Sequence, residues 1–205
     1  MSTAASVLSV SDAARQRRSI RAYTSEHLPD EELRDILAET SLAPSAWNLQ
    51  PWRFVVVRDP ALKRELAAAA HHQKQVLAAP AVIVLYTDMA DTLAHLDAIV
   101  RPGASADAAR AFEASVRGAF ASQGEAEREA WGAAQGHIAL GYLLLAAAAR
   151  GWATSPMAGV DPEAVKRLLG LPAHVRIPAL VAIGRAAEEG LPHHRLSLER
   201  ITRVA

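Results

Sequence analysis

Cysteine does not occur among the 205 residues. Its absence excludes disulfides, thiol nucleophiles, thiolate metal sites and iron–sulfur clusters together, and suits a reducing cytoplasm, where we expect the protein to work. Net charge is missing as well, because Lys+Arg and Asp+Glu each number 22. Neither nucleic acid nor an anionic membrane is therefore an expected partner, and any anion site has to be assembled locally. The most apolar tract, Ile138–Ala149, is interrupted by Gly141 and is shorter than a bilayer span. Met1–Ser11 lacks the charged start and apolar run of an export signal. Four standard signatures are also absent: GxGxxG after a strand, the Walker loop, HExxH and GxSxG. With these gone, any chemistry is expected to belong to a bound cofactor that the protein orients.

What is present is ordinary globular material, 51% hydrophobic and 21% charged, without repeat or composition break, so a single domain over 1–205 is expected. Ser9 or Ser11 can cap a first helix. Pro29-Asp30-Glu31-Glu32 opens a second, with Leu33, Ile36, Leu37 and Thr40 on one face. Continuous apolar runs predict buried strands at Phe54–Val57, Ala81–Tyr86 and Leu180–Ile183. Between them, helices are expected at Ala61–Ala70 behind Asp59-Pro60, around Leu93–Val100, on the Phe112/Val116/Phe120 stripe, and over Glu125–Arg150. Asp161-Pro162-Glu163 starts another, which Gly170 stops. Helices outnumber strands and do not alternate with them, which argues for α+β. The tail 190–205 has little to make a core and is expected to lie along another surface.

Three stretches stand out. Arg15, Arg17, Arg18 and Arg21 crowd seven positions around Ser19. Such a set suits a phosphate monoester, or else complements a solvated helix end. Ala43-Pro44-Ser45-Ala46-Trp47-Asn48-Leu49-Gln50-Pro51-Trp52 reads as a rigid loop bracketed by prolines, either a binding surface or a capped connector. Trp152-Ala153-Thr154-Ser155-Pro156-Met157-Ala158-Gly159 is an extended segment rich in small residues. The pair His71-His72 has poor chelating geometry, since adjacent residues point apart, and no metal site is expected.

In order and spacing, Arg17-Arg18-Ser19-Ile20-Arg21, the Ala43–Phe54 run, Ser155–Gly159 and Arg195 after Leu191-Pro192 resemble the FMN-dependent nitroreductase family. The resemblance implies an α+β, three-layer fold with a central, mainly antiparallel sheet flanked by helices, in an intertwined homodimer whose tails at 190–205 wrap the partner. It implies FMN, NADH or NADPH as electron donor, and ping-pong hydride transfer to a small-molecule acceptor of nitroaromatic or quinone type. Related alternatives are dehalogenation, enone reduction, flavin breakdown, or flavin binding without turnover. By the same resemblance Arg17, Arg18, Ser19, Arg21 and Arg195 hold the phosphate and ribityl chain. Pro44, Ser45, Ala46, Asn48 and Gln50 approach the ring from the other subunit, and Pro156, Met157, Ala158 and Gly159 lie along it. His72 and Gln75 stand where relatives offer Asn and Lys to the flavin, and His193 where Lys is frequent. No catalytic side chain is implied, the chemistry being the flavin's.

Overall fold

The computed structural model describes residues 7–205, so the first six residues of the stretch read for an export signal lie outside it. In chain order the elements are α1 (Val10–Gln16), α2 (Asp30–Ser41), β1 (Trp52–Val57), α3 (Pro60–Ala69), α4 (Lys74–Ala78), β2 (Ala81–Thr87), α5 (Met89–Ala94), α6 (Ala106–Phe120), α7 (Glu125–Ala149), β3 (Ala153–Met157), α8 (Pro162–Leu169), β4 (Arg176–Gly184) and α9 (Leu198–Ile201). Helix starts follow side-chain chemistry. Ser9, Asp59 and Asp161 each accept a backbone N–H of the first turn, and proline follows the two aspartates at the first helical position.

Four strands form one antiparallel sheet in the order β1-β2-β4-β3. The inner strands β2 and β4 are apolar on both faces because helices cover both. On one side Ile83 and Val181 pack with Ile36 of α2 and Leu143 of α7. On the other, Val82, Val84, Leu180 and Ala182 pack with Leu66 of α3 and Val165 of α8. The result is the expected three-layer α+β arrangement. Leu143, Leu66, Ile83 and Leu180 are fully buried, and truncating such a side chain to alanine costs roughly 2–5 kcal/mol.

The helices α4 and α9 were not expected from the sequence, and two further elements differ from the expectation. The apolar spacing at Leu93, Leu96, Ile99 and Val100 is divided between α5 and a 3₁₀ turn at Leu96–Ala98, since His95 leaves helical geometry at φ −119, ψ 45. Ala153–Met157 is a fourth strand. It lies at the sheet edge, where Pro156 can forgo a ladder hydrogen bond. Its outer side is met by the N-terminal segment, through a parallel bridge of Ser19 to Thr154 and Ile20 N–H donating to Thr154 O at 3.1 Å.

Helix α7 meets the length and hydropathy of a membrane span. It is nevertheless the central helix of the domain, packing on α1, α2, α5 and all four strands. At Gly136 it lies so close to the sheet that a Cβ would come within 2.7 Å of Thr87 and 2.9 Å of Pro178. Its other face leaves Ile138 and Tyr142 exposed. Beside them Val10, Leu42, Tyr142 and Leu145 line an apolar cavity of about 460 Å³.

Candidate functional site

The two ends of the chain meet at the arginine cluster. Helix α1 ends at Arg17, whose extended backbone turns Arg18 and Ser19 along the edge of β3. The tail returns over this segment. Glu188 accepts Arg21 N–H at 2.6 Å and Ala22 N–H at 3.1 Å, and Gly190 lies against Arg18 so tightly that a Cβ would collide with Arg18 Cβ and Cγ. That crossing carries His193 to the cluster, where its Nε2 is 2.9 Å from both Arg18 Nη1 and Arg17 O. Tyr23 fixes the base, donating from its hydroxyl to Ile20 O at 2.6 Å, and burial pushes its phenol well above the ordinary range.

Arg17 is half-buried and its Nη1, among the described residues, is a buried donor without a partner. Burial first, then Arg195 and Arg18, lower its pKa. A half-buried guanidinium beside two others is poised for an anion, because each added cation raises the cost of the empty cluster and the gain on filling it. Arg17, Arg18, Ile20, Trp152, Ala153 and Gly190 line a cavity of about 290 Å³ at this point. Arg195 and Arg21 are exposed, and their side chains are free to turn to a ligand.

The end of β3 adjoins the α3–α4 loop. Gln73 donates from Nε2 to Gly159 O at 2.9 Å, which joins the stretch carrying His72 and Gln75 to Pro156–Gly159. His72 is exposed, whereas Gln75 is only 6% exposed and its amide donates to Gln73 Oε1 at 3.1 Å. Met157 sends its side chain into the core, so only its backbone is offered. Ala158 and Gly159 are exposed.

The Ala43–Trp52 loop is elsewhere. It precedes β1, whose first residue Trp52 pairs with Thr87, while Pro156 of β3 shares a row with Val181, Ile83 and Val56. Three inter-strand spacings and four residues along the strand separate them, close to 20 Å in all. No tricyclic ring bridges that gap within one chain. The loop is held by internal contacts: Ser45 Oγ accepts Gln50 N–H at 3.0 Å, Gln50 Nε2 donates to Asn48 O at 3.1 Å, and Gln135 of α7 accepts Ala46 N–H at 3.1 Å. Trp47 packs edge-on to Phe120 and tilted to Trp131, ring centroids 5.9 and 6.2 Å away. Pro44, Ala46 and Asn48 are exposed.

Backbone strain marks the same two loops. Among the described residues, the non-glycine positions with positive φ are Trp47, Asn48 and Gln50 in one and His71 and His72 in the other, at 45–57°. Such conformations cost of order 1 kcal/mol or more each and concentrate at functional sites. Residue type hints at this for Asn48, His71 and His72, since asparagine and histidine are enriched in the left-handed region, but not for Trp47 or Gln50.

Sequence reading also missed a buried carboxylate. Glu129 of α7, 1% exposed, accepts Met89 N–H and Ala90 N–H at 3.1 Å, the first orphan donors of α5. Asp88 caps the same helix and meets His174 Nε2 at 3.0 Å. Ligand-capable atoms of Asp88, Glu129 and His174 lie within 4.8 Å of one another, and their hydrogen bonds make them a clamp on the β2–α5 junction. Beside it Asp88 N–H donates to Pro51 O at 2.9 Å, and Arg53 pairs with Asp91 at 2.7 Å, so the clamp sits under the end of the loop.

These positions can be set beside known proteins. A Thermus thermophilus protein named NADH dehydrogenase is 53% identical over 195 residues, covering 95% of each chain. A Bacillus subtilis protein named as a candidate NAD(P)H nitroreductase is 34% identical over 193 residues, 90% of this chain and 92% of that one. The fold superposes with a TM-score of 0.88 on a candidate nitroreductase from Exiguobacterium sibiricum solved in complex with FMN, at 28% identity over 99% and 100% of the two chains. The nitroreductase family profile matches residues 14–185, from α1 through the end of β4, and the chain belongs to the nitroreductase family.

Proposed function

We propose that this protein is an FMN-dependent oxidoreductase that takes a hydride from NADH or NADPH and delivers it to nitroaromatic or quinone-like acceptors, working as a cytoplasmic homodimer. The observation that carries the reading is the cluster of Arg17, Arg18 and Arg195, in which Arg17 Nη1 is buried and, among the described residues, unpaired, beside an edge strand that ends in exposed residues at Ala158 and Gly159. It fits a phosphorylated flat ligand: charge at one end, a peptide edge along the other.

In this reading Arg17, Arg18, Ser19, Arg21, His193 and Arg195 would hold the phosphate end. Backbone groups of Pro156, Met157, Ala158 and Gly159, with His72, would line the ring. Gln75 offers less than its position suggests, since its amide is buried and engaged with Gln73. A neutral side chain there leaves charge on the reduced ring to N–H donors of the backbone. The remaining wall, Pro44, Ser45, Ala46, Asn48 and Gln50, would come from a second copy, because about 20 Å separates it from β3 in the same chain. The exposed apolar face around Tyr142 and Leu42 is suited to that contact, and a tail at 190–205 without core residues to wrapping the partner.

A bound flavin would supply the electron chemistry, as the carrier of hydride between two substrates in a ping-pong cycle. The protein's part is to fix the phosphate, lay the ring on a rigid edge and restrict water on the covered side; no nucleophile or acid–base pair is called for. An absorption spectrum of the purified protein before and after anaerobic addition of NADH or NADPH tests this. Flavin bands that bleach, and that recover when a quinone is added, are expected. A colourless monomer that takes up no FMN overturns the reading.

A further inference from the structure

Gln50 meets two opposing demands. Its φ is 45°, yet it precedes Pro51, and the pyrrolidine ring presses the residue before it toward extended backbone. Such a conformation has to be held. Its N–H donates to Ser45 Oγ at 3.0 Å within the loop, and its carbonyl accepts from Arg53 Nη1, also at 3.0 Å, at the start of β1. The same Nη1 donates to Trp52 O at 2.9 Å, and Pro51 O between them accepts Asp88 N–H at 2.9 Å. The carbonyls of Gln50, Pro51 and Trp52 are thus each pinned where the loop enters the sheet.

Arg53 is itself fixed by a second element. Its Nη2 donates to Asp91 Oδ2 at 2.7 Å, and this hydrogen bond is the chief reason that the Asp91 carboxyl lies below its ordinary range. Asp91 belongs to the first turn of α5, where its N–H donates to Asp88 Oδ1 at 2.8 Å and where Glu129 of α7 accepts Met89 N–H and Ala90 N–H. A planar fork suits this task, because one guanidinium reaches carbonyls and a carboxylate on two elements at once. The Arg53–Asp91 pair is partly exposed, so solvent screens it and it adds little to the stability of the fold. What it adds is the placement of one peptide group. His95 Nδ1 also meets Asp91 Oδ1, at 3.1 Å, but makes no hydrogen bond to the loop among the described residues.

We propose that Arg53, held by Asp91, is the positioning residue that sets the Ala43–Trp52 loop in the shape required by the flavin of the second copy, acting through Gln50 and not on the flavin itself. The inference rests on the FMN reading and on the loop acting across the dimer. Releasing the pin lets Gln50 return toward extended backbone, and flavin affinity then falls in proportion to the fraction of loops still in the competent shape. The loss falls on the ring, and so on FMN and riboflavin alike. The phosphate end differs, because riboflavin does not engage it.

Full-length wild type, Arg53→Ala, Asp91→Ala, the double variant and His95→Ala are freed of flavin by dialysis and titrated with FMN and with riboflavin, reading flavin fluorescence. Arg53→Ala should bind both flavins about three- to tenfold more weakly. Asp91→Ala should lose less, and the double variant no more than Arg53→Ala, since both act through one contact. His95→Ala, which leaves Arg53 in place, should match wild type, and melting temperatures should agree within about 3 °C. If Arg53→Ala does not fold, Arg53→Lys takes its place: it keeps a charge opposite Asp91 but lacks the fork, and the same loss is expected. A mixed dimer reads the role directly. Differently tagged Arg53→Ala and Arg17→Ala chains, co-expressed and purified as a pair, should recover wild-type FMN affinity at one of the two sites, where an intact cluster meets the intact loop of its neighbour. A merely destabilised chain gains nothing from such pairing. Additive losses for Arg53 and Asp91, a loss for FMN alone, or no recovered site overturns the proposal and leaves the flavin site standing. Wild type that binds neither flavin overturns the FMN reading beneath it.

Discussion

At the chain's two ends, Arg17, Arg18, His193 and Arg195 are gathered by a few long-range contacts between segments that have almost no core of their own, and their contribution is charge. The Ala43–Trp52 loop is the reverse: it carries no charge, it is braced by Gln135, Phe120 and Trp131 at both sides, and its contribution is a backbone shape that three non-glycine residues adopt at a cost. A cationic half can be tuned residue by residue through solvent-screened interactions. A strained half depends on the packing behind it, so its faults arise at a distance.

Arg17→Ala is expected to give the largest effect on the charged half. On the FMN reading, removing this half-buried guanidinium should weaken FMN binding roughly ten- to hundredfold, the equivalent of about 1.5–3 kcal/mol, and leave riboflavin binding unchanged. Equal losses for both flavins would show that Arg17 shapes the pocket instead of reading the phosphate.

Behind the strained half stands Glu129. Glu129→Ala leaves Met89 N–H and Ala90 N–H without their acceptor and should cost about 2 kcal/mol in denaturant unfolding. The pH dependence has a definite sign. Burial chiefly raises the pKa of Glu129, against the lowering by the two N–H donors. A carboxyl raised on folding contributes stability that is complete below its unfolded value and is lost as pH rises through the folded one. Glu129→Gln removes that loss, so its stability relative to wild type should climb as pH increases from about 4.5. A flat difference between the two proteins would mean that the carboxylate stays fully ionised in the fold.

Gly190→Ala sharpens the comparison further. A Cβ would strike Arg18, forcing the tail away from the cluster. Because the tail side chains are exposed, FMN affinity should fall only several-fold, with unfolding free energy unchanged within about 0.5 kcal/mol. A large drop in stability would show that the tail holds the domain together as well as the ligand.

Much of this was legible because the signals are local. Ser9, Asp59 and Asp161 announce their helices through a side chain that bonds three residues on, and the apolar runs at Ala81–Tyr86 and Leu180–Ile183 could only be strands covered on both faces. The crowding of Arg17 and Arg18 beside Ser19 was readable by residue type, whereas the return of His193 to them depends on the fold. β3 was harder: Ala153, Ser155 and Pro156 have no strand preference, and pairing with β4 imposes the conformation. The break at His95 was hidden because the apolar spacing runs on through it. Positive φ at Trp47 and Gln50 could not be read, since nothing in those side chains asks for it; the loop is held from within by Ser45 and from outside by Gln135 and Phe120. The Asp88–Glu129–His174 clamp joins three distant segments and exists only once the helices have packed.

Asn48 separates the two explanations left for the loop. Its φ of 57° is tolerable for asparagine, cheaper for glycine and costly for alanine. Its side chain makes no hydrogen bond among the described residues, while its carbonyl holds Gln50. If backbone shape alone matters, Asn48→Gly should keep flavin affinity and turnover, with stability within about 0.5 kcal/mol of wild type, and Asn48→Ala should lose about 1 kcal/mol. If the amide itself touches the ring, both variants should lose flavin affinity alike, whatever their stability. Melting temperature and FMN titration on the same two proteins decide it. Alanine failing where glycine succeeds would make this loop a template of strain, and equal failure would make Asn48 a ligand.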